Sequence, residues 1–331
     1  MLTGAAGVNH STSVLERRGS DPAISLQGVR KHYGTLRAVD GVDLAVQPGE
    51  MLGLIGHNGA GKSTLFKLML GLERATAGDI AIHGAPVRGS GFRAARRRLG
   101  YLPENVVLYD NLSGRETLRF FARLKGAEDR QCDALLGDVG LSSAASRPVR
   151  EYSKGMRQRL GFAQALLGDP AVLLLDEPIT GLDPAAIRDF HATLDALRAR
   201  GVTVVLTSHI LAELQERVDR LAVLGSGKLL ATGSVRALRQ QADLPLMVIV
   251  HGEGGASPDA VLPRKLCLMQ GVTVREAFPG LHIACPRASK MAVLAAVARA
   301  GARVRDIELR EPSLEEVFFG LSRQAVEGVP S

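Results

Sequence analysis

Residues 56–64 read Gly-His-Asn-Gly-Ala-Gly-Lys-Ser-Thr, so Gly56 and Gly61 bracket four residues directly before Lys62, Ser63 and Thr64. Glycines at this spacing let backbone N–H groups close around phosphate oxygens, with His57, Asn58, Gly59 and Ala60 forming the turn between them. Lys62 can place a point charge on β- and γ-phosphates, and the Ser63 hydroxyl can ligate Mg²⁺. The flanks have the context this chemistry needs. Met51–Ile55 reads as a strand entering the loop and Leu65–Leu72 as a helix leaving it, and the helix N-terminus adds positive potential.

A second group follows the aliphatic run Val172–Leu175, which ends in Asp176-Glu177. A strand without polar alternation is covered on both faces, and ligands of open α/β sheets bind at the carboxyl ends of such strands. Asp176 can there support a metal ion and Glu177 can polarise an attacking water. Other residues are ambiguous by themselves. His209 ends Thr-Ser-His after a strand, and a lone histidine is often structural. Tyr33 could stack on a base or sit half-buried in a strand. Ser153 suits a helix N-cap.

The elements that must hold these residues alternate. Ile24–Val29, Val42–Val46, Met51–Ile55, Asp79–Ile82, Leu99–Leu102, Val172–Leu175, Val202–Thr207, Arg220–Leu224 and Lys228–Ala231 read as strands, and Ala185–Arg200 as a helix stopped by Gly201. This alternation predicts an α/β fold. Helical patterns at Gly114–Lys125, Arg130–Val139 and Ser153–Leu167 interrupt it, which predicts an inserted helical subdomain at about 105–167. Beyond Gly233 the composition shifts. Strands at Leu246–Val250, Val272–Ala277, Leu281–Cys285 and Arg303–Leu309 around a helix at Lys290–Ala300 predict a small α+β domain over 235–331, with Gly252–Asp259 as a loop. Residues 1–22 read as a disordered leader, leaving 23–234 for the first domain.

The formal net charge is +7, yet Arg88, Arg93, Arg96, Arg97 and Arg98 fall in one acid-free stretch, so the excess is a local patch and nucleic acid is not an expected partner. No run reaches 18 uncharged apolar residues, so no membrane span is expected. Cys132, Cys267 and Cys285 are far apart and odd in number, which suits free thiols in a reducing compartment. Cys267, Met269 and Cys285 are soft atoms that could bind copper, but Cys267 and Met269 lie in Leu266–Met269, a run that reads as buried strand, and no histidine is in helical register with them, so a core role is expected.

Taken in order, Tyr33, GHNGAGKST at 56–64, SKGMRQ at 153–158, LLLDEP at 173–178, GLDP at 181–184 and TSH at 207–209 resemble the motif set of ATP-binding-cassette ATPases over roughly Ile24–Gly233. The resemblance implies a phosphate-loop cassette fold, ATP and Mg²⁺ as ligands, and hydrolysis of ATP. It implies adenine stacking on Tyr33, phosphate and Mg²⁺ binding by Lys62, Ser63 and Thr64, a metal-supporting Asp176, a catalytic base at Glu177 and a γ-phosphate contact at His209. It further implies that Asp183 joins the two sites, and that Ser153 and Gly155 bind the γ-phosphate of ATP held by a second copy in a head-to-tail homodimer. Two motifs depart from the family pattern. Lys154 and Met156 replace a glycine and a glutamine of the usual signature, and Glu104 stands where the family carries glutamine.

Lys62 and Asp176 are 114 residues apart, enough for one helical subdomain and too few for a long coiled coil, so a transporter cassette is expected in place of a DNA-repair ATPase. Such a cassette would power a separate multi-span permease, docked near Val106–Gly126, from the cytoplasmic face of the inner membrane. Residues 55–72, 100–126 and 311–319 more narrowly resemble the ATPase of the transporter that helps assemble the copper sites of bacterial nitrous oxide reductase. That would imply a sulfur species or copper as cargo and a periplasmic accessory protein reached through the permease. A drug, lipid or antibiotic exporter and an ATP-gated regulatory module without a permease are the alternatives.

Overall fold

The computed structural model describes residues 21–208, 211–252, 262–277, 280–299 and 304–327. The expected leader therefore lies outside the described residues up to residue 20, as do His209 and the expected loop beyond Gly252. Strands and helices are numbered in chain order. A four-stranded antiparallel sheet, ordered β2-β1-β4-β5, contains β1 (Ile24–Tyr33), β2 (Leu36–Val46), β4 (Ala77–Ile82) and β5 (Ala85–Pro86). The central sheet runs β10-β9-β3-β8-β7-β6, from β3 (Met51–Ile55), β6 (Leu99–Leu102), β7 (Val172–Leu175), β8 (Thr203–Thr207), β9 (Arg220–Gly225) and β10 (Lys228–Gly233). Its pairs are parallel apart from β9 with β10. A third, antiparallel sheet runs β12-β13-β11-β14, from β11 (Leu246–Gly252), β12 (Thr273–Ala277), β13 (Gly280–Cys285) and β14 (Val304–Arg310).

The helices are α1 (Lys62–Met69), α2 (Phe92–Arg97), α3 (Gly114–Lys125), α4 (Arg130–Asp138), α5 (Lys154–Leu166), α6 (Pro184–Ala199), α7 (Leu211–Gln215), α8 (Val235–Ala242), α9 (Leu262–Cys267), α10 (Lys290–Ala298) and α11 (Leu314–Glu327). The central sheet is covered on both faces, as its aliphatic strands require. Leu52, Leu54, Val172, Leu174 and Val205 pack with α1 and the first sheet in one core, while Met51, Ile55, Leu173, Leu175 and Val204 join the helical block α3–α5 and α6 in another. Strand periodicity explains this division, because alternate side chains of β3 and β7 point to opposite faces.

Three regions differ from the sequence expectation. Helices α8 and α11 do not belong to the core of the third sheet. Leu238, Ala242, Leu314, Val317, Phe318 and Leu321 pack into the core that holds α3–α6, so that core continues past the expected boundary at 234. Leu266–Met269, expected as buried strand, instead contains the end of α9 and the turn after it. Cys267 is consequently exposed, whereas Cys132 and Cys285 are buried. Among the described residues no His, Cys, Asp and Glu cluster of three or more could hold a metal ion.

Helix α11 begins in a capping box. The Glu316 N–H donates to Ser313 Oγ at 3.2 Å and the Ser313 N–H donates to Glu316 Oε2 at 2.7 Å. Ser313→Ala should lower unfolding stability by about 1 kcal/mol, read as a lower denaturant midpoint. An unchanged midpoint would show that the cap contributes nothing to the fold.

Candidate active site

The topology brings three strand ends together. β8 lies between β3, which enters the phosphate loop, and β7, which ends at Asp176, with all three parallel. Their carboxyl ends therefore open on one edge of the sheet. A cleft of ≈ 590 Å³ forms there, lined by Tyr33, Leu36, Ala38, Asn58, Gly59, Ala60, Gly61, Lys62, Ser63, Thr64, Glu104, Asp176, Glu177 and Thr180.

The loop is built for close backbone approach. Gly61 has φ +105° and caps α1, and a Cβ there would lie 2.4 Å from the Ala38 carbonyl oxygen, so no side chain fits. The α1 N-terminus carries no acidic residue in its first turn and no side-chain cap, which leaves its N–H groups facing the cleft. Lys62 Nζ donates to the Gly56 carbonyl at 2.6 Å and the His57 carbonyl at 3.2 Å. Burial pulls its pKa below the usual lysine range, while the charges of Glu177, Asp176 and Glu104 act the other way.

The carboxylates are held separately. Asp176 is buried, its N–H donating to the Leu102 carbonyl at 2.8 Å. The Thr207 hydroxyl, at the end of β8, donates to Asp176 Oδ1 at 2.7 Å and accepts the Glu177 N–H at 2.9 Å. This second bond holds Glu177 in left-handed backbone, φ +50°, a conformation that costs a non-glycine residue about 1–3 kcal/mol. Gln158 on α5 donates to the Pro178 carbonyl at 3.0 Å and ties the next residue of this turn to the helical block. Burial, with the charges of Asp176 and Glu104, pushes the Tyr101 phenol up to about 12.

Glu104, Asp176 and Glu177 face the same cleft as the cationic loop. A polyphosphate would meet these carboxylates unfavourably without a compensating cation. The hard oxygens of Ser63 and Asp176 suit Mg²⁺, which is commonly held by one or two protein groups and the phosphates themselves. Tyr33 also lines the cleft, with Lys31 Nζ 4.6 Å from its ring centroid. Lys31 is fixed in turn by Glu73 at 2.8 Å, so one face of the ring is occupied.

Other expected site residues stand apart from the cleft. Ser153 caps α5, its hydroxyl accepting the Met156 N–H at 3.2 Å. Gly155 lies so near the following turn that a Cβ on it would be 3.1 Å from the Gly181 carbonyl oxygen. Asp183 caps α6 by accepting the N–H groups of Ala186 at 2.9 Å and Ala185 at 3.0 Å. The bond from Ala186 is the main reason its pKa is held below the ordinary carboxylate range. Gly56 supports the loop from behind, and the exposed His57 points toward α11, its ring 6.5 Å from that of Phe318.

Sequence reasoning missed Leu36, Ala38 and Thr180 as cleft residues and Thr207 as the link between both carboxylates. A buried threonine at the carboxyl end of β8, the end at which ligands of open α/β sheets bind, is the signal that could have singled out Thr207. Thr207→Val should reduce hydrolysis roughly 10–100-fold, the usual effect of losing a group that orients a ligand. Steady-state phosphate release at unchanged rate would show that the bridge is dispensable.

The sequence profile described as ABC transporter matches residues 39–180. A daunorubicin resistance ATP-binding protein of Streptomyces coeruleorubidus is 36% identical over 311 residues, covering 92% of this chain and 96% of the relative. A Nod factor export ATP-binding protein I of Rhizobium sp. (strain N33) is 37% identical over 312 residues, covering 93% and 99%. Among solved structures, an ATP binding subunit of an ABC transporter superposes with TM-score 0.63 at 33% identity, over 66% of this chain and 92% of that one. A dimeric bacterial ABC transporter cassette gives TM-score 0.60 at 25% identity, over 64% and 99%. Among the described residues no helix is long and apolar enough to cross a membrane. The matched span includes both the phosphate loop and the carboxylate turn, and with relatives more than 30% identical over nine-tenths of its length the chain belongs to the ATP-binding-cassette family, as the ATP-binding and ATP-hydrolysing subunit of a transporter.

Proposed function

We propose that the cleft binds ATP with its adenine on Tyr33, its phosphates on the loop 56–64 and Lys62, and Mg²⁺ between Ser63, Asp176 and the phosphates. Mg²⁺ would neutralise charge that develops on the transferred phosphoryl group. Glu177 takes the proton of the attacking water, with His209 and Glu104 completing the γ-phosphate end. The observation that carries a two-copy site is the placement of Ser153 and Gly155. They lie at a helix N-terminus suited to an anion, yet not on the chain's own cleft. A head-to-tail homodimer would bring that terminus, and the adjoining Asp183 turn, to the partner's ATP.

The cassette drives a separate multi-span permease from the cytoplasmic face of the membrane, and the cargo is an amphipathic small molecule. Supporting this cargo class are relatives named for daunorubicin resistance and Nod factor export that align over more than nine-tenths of this chain, including the region after Gly233. The narrower resemblance to nitrous oxide reductase maturation, with copper or sulfur cargo and a periplasmic accessory protein, rests on residues 55–72, 100–126 and 311–319. The first segment contains the phosphate loop required of any such cassette, so we favour small-molecule export.

Co-expression with a candidate permease gene tests this reading. The chain should fractionate with membranes only in the presence of that gene product, and its ATPase rate should rise there. A chain that stays wholly soluble and unstimulated would support the regulatory module. Copper-site defects in nitrous oxide reductase after deletion of the gene would support the maturation reading.

A further inference from the structure

Helix α11 reaches the phosphate loop at His57. Phe318, 8% exposed, meets the ring of His57 edge-on at 6.5 Å and 61°. His57 Nδ1 is itself 2.7 Å from the Asn58 carbonyl, so the ring is held between the loop backbone and α11. Helix α11 also packs against α7, the helix that begins just after the Thr-Ser-His segment, and against α8. Arg239 on α8 fastens this arrangement. It donates to Gln215 Oε1 at the end of α7 at 3.1 Å and to the Pro312 carbonyl at 3.1 Å, and it pairs with Glu311 at 3.5 Å. Glu311 also receives Arg287, from the turn before α10, at 3.3 Å.

We infer that α11 is a strap for the phosphate loop, with Phe318 as a positioning residue that acts through His57. The loop's function depends on the direction of a few N–H groups, and the loop is otherwise rich in glycine, so a side-chain anchor restricts conformations that would point them elsewhere. Because the strap is joined through Arg239 and Glu311 to the third sheet, displacement of that sheet would reach the loop without touching nucleotide. Binding linkage is reciprocal, so nucleotide on the loop must also stabilise α11 to the extent that α11 stabilises the nucleotide-binding form. This inference rests on the ATP reading of the cleft.

Hydrogen–deuterium exchange of the full chain, with and without Mg²⁺ and AMP-PNP, tests it directly. Peptides over 314–322 should exchange more slowly when nucleotide is bound. In His57→Ala, an exposed substitution, that protection should disappear while loop peptides over 56–64 remain protected, which separates the strap from any general effect of dimer formation. MANT-ATP affinity should fall about two- to tenfold in His57→Ala and in Phe318→Leu, the scale of one aromatic pair, and the double variant should be no weaker than the weaker single. Losses that multiply, or α11 exchange that ignores bound nucleotide, would overturn the strap alone. A wild-type chain unable to bind MANT-ATP would overturn the nucleotide reading as well. Should Phe318→Leu fail to fold, the His57→Ala exchange result still decides.

Discussion

Glu177→Gln should reduce steady-state ATP hydrolysis by about 10²–10⁴-fold, the range for loss of a positioned general base. The amide keeps the size of the carboxylate and its peptide N–H can still donate to Thr207, so the turn after β7 should survive. It cannot accept the proton of water. The substitution also removes one negative charge from a cleft that already contains Asp176 and Glu104, so nucleotide affinity should be maintained or improved. Phosphate release, MANT-ATP titration and size-exclusion chromatography with ATP check the three parts. The expected pattern is slow turnover, intact binding and an accumulating nucleotide-bound dimer. Turnover within tenfold of the wild type would remove Glu177 as the base.

Lys62→Ala should weaken ATP binding roughly 10–100-fold, since a hydrogen bond to a charged group contributes about 1.5–3 kcal/mol and each 1.4 kcal/mol is tenfold. The ammonium is partly desolvated and bound to two loop carbonyls, so it is poised where a phosphate can replace those weaker acceptors. The fold itself should tolerate the change, because removing a partly buried cation also removes its desolvation cost. Calorimetric titration with ATP, beside a thermal melt, separates the two effects. Unchanged affinity would remove the lysine from the phosphate site. A large loss of melting temperature would assign it a structural role instead.

The phosphate loop and carboxylate turn were legible because their chemistry is contiguous in sequence. Strand, loop and helix follow one another within residues 51–69, and Asp176-Glu177 directly follows a fully aliphatic strand. The Thr207 bridge was less legible, because it depends on β8 lying beside β7 in register, and register is a property of pairs. The first sheet was hidden for the same reason. Its strands were readable one at a time, but nothing local separates β1, β2 and β4 from the central sheet. Helix α11 was overlooked although Ser313-x-x-Glu316 announces its start. Its packing against Leu238 and Ala242, which moves it out of the C-terminal sheet's core, depends on tertiary contacts that no local pattern expresses. The short run Leu266–Met269 failed differently, since four residues cannot distinguish helical from extended periodicity.

The alternation along β3 also bears on how variation at these positions combines. Leu52 and Leu54 belong to the core beneath the first sheet, whereas Met51 and Ile55, their immediate neighbours in the chain, belong to the core of the helical block. Epistasis should therefore follow face and not sequence distance. An enlarging change at Leu54 should be compensated by trimming residues of its own core, and one at Ile55 by trimming residues of the opposite core, while double substitutions at 54 and 55 should combine almost additively. Five consecutive residues would thus carry two nearly independent records of constraint.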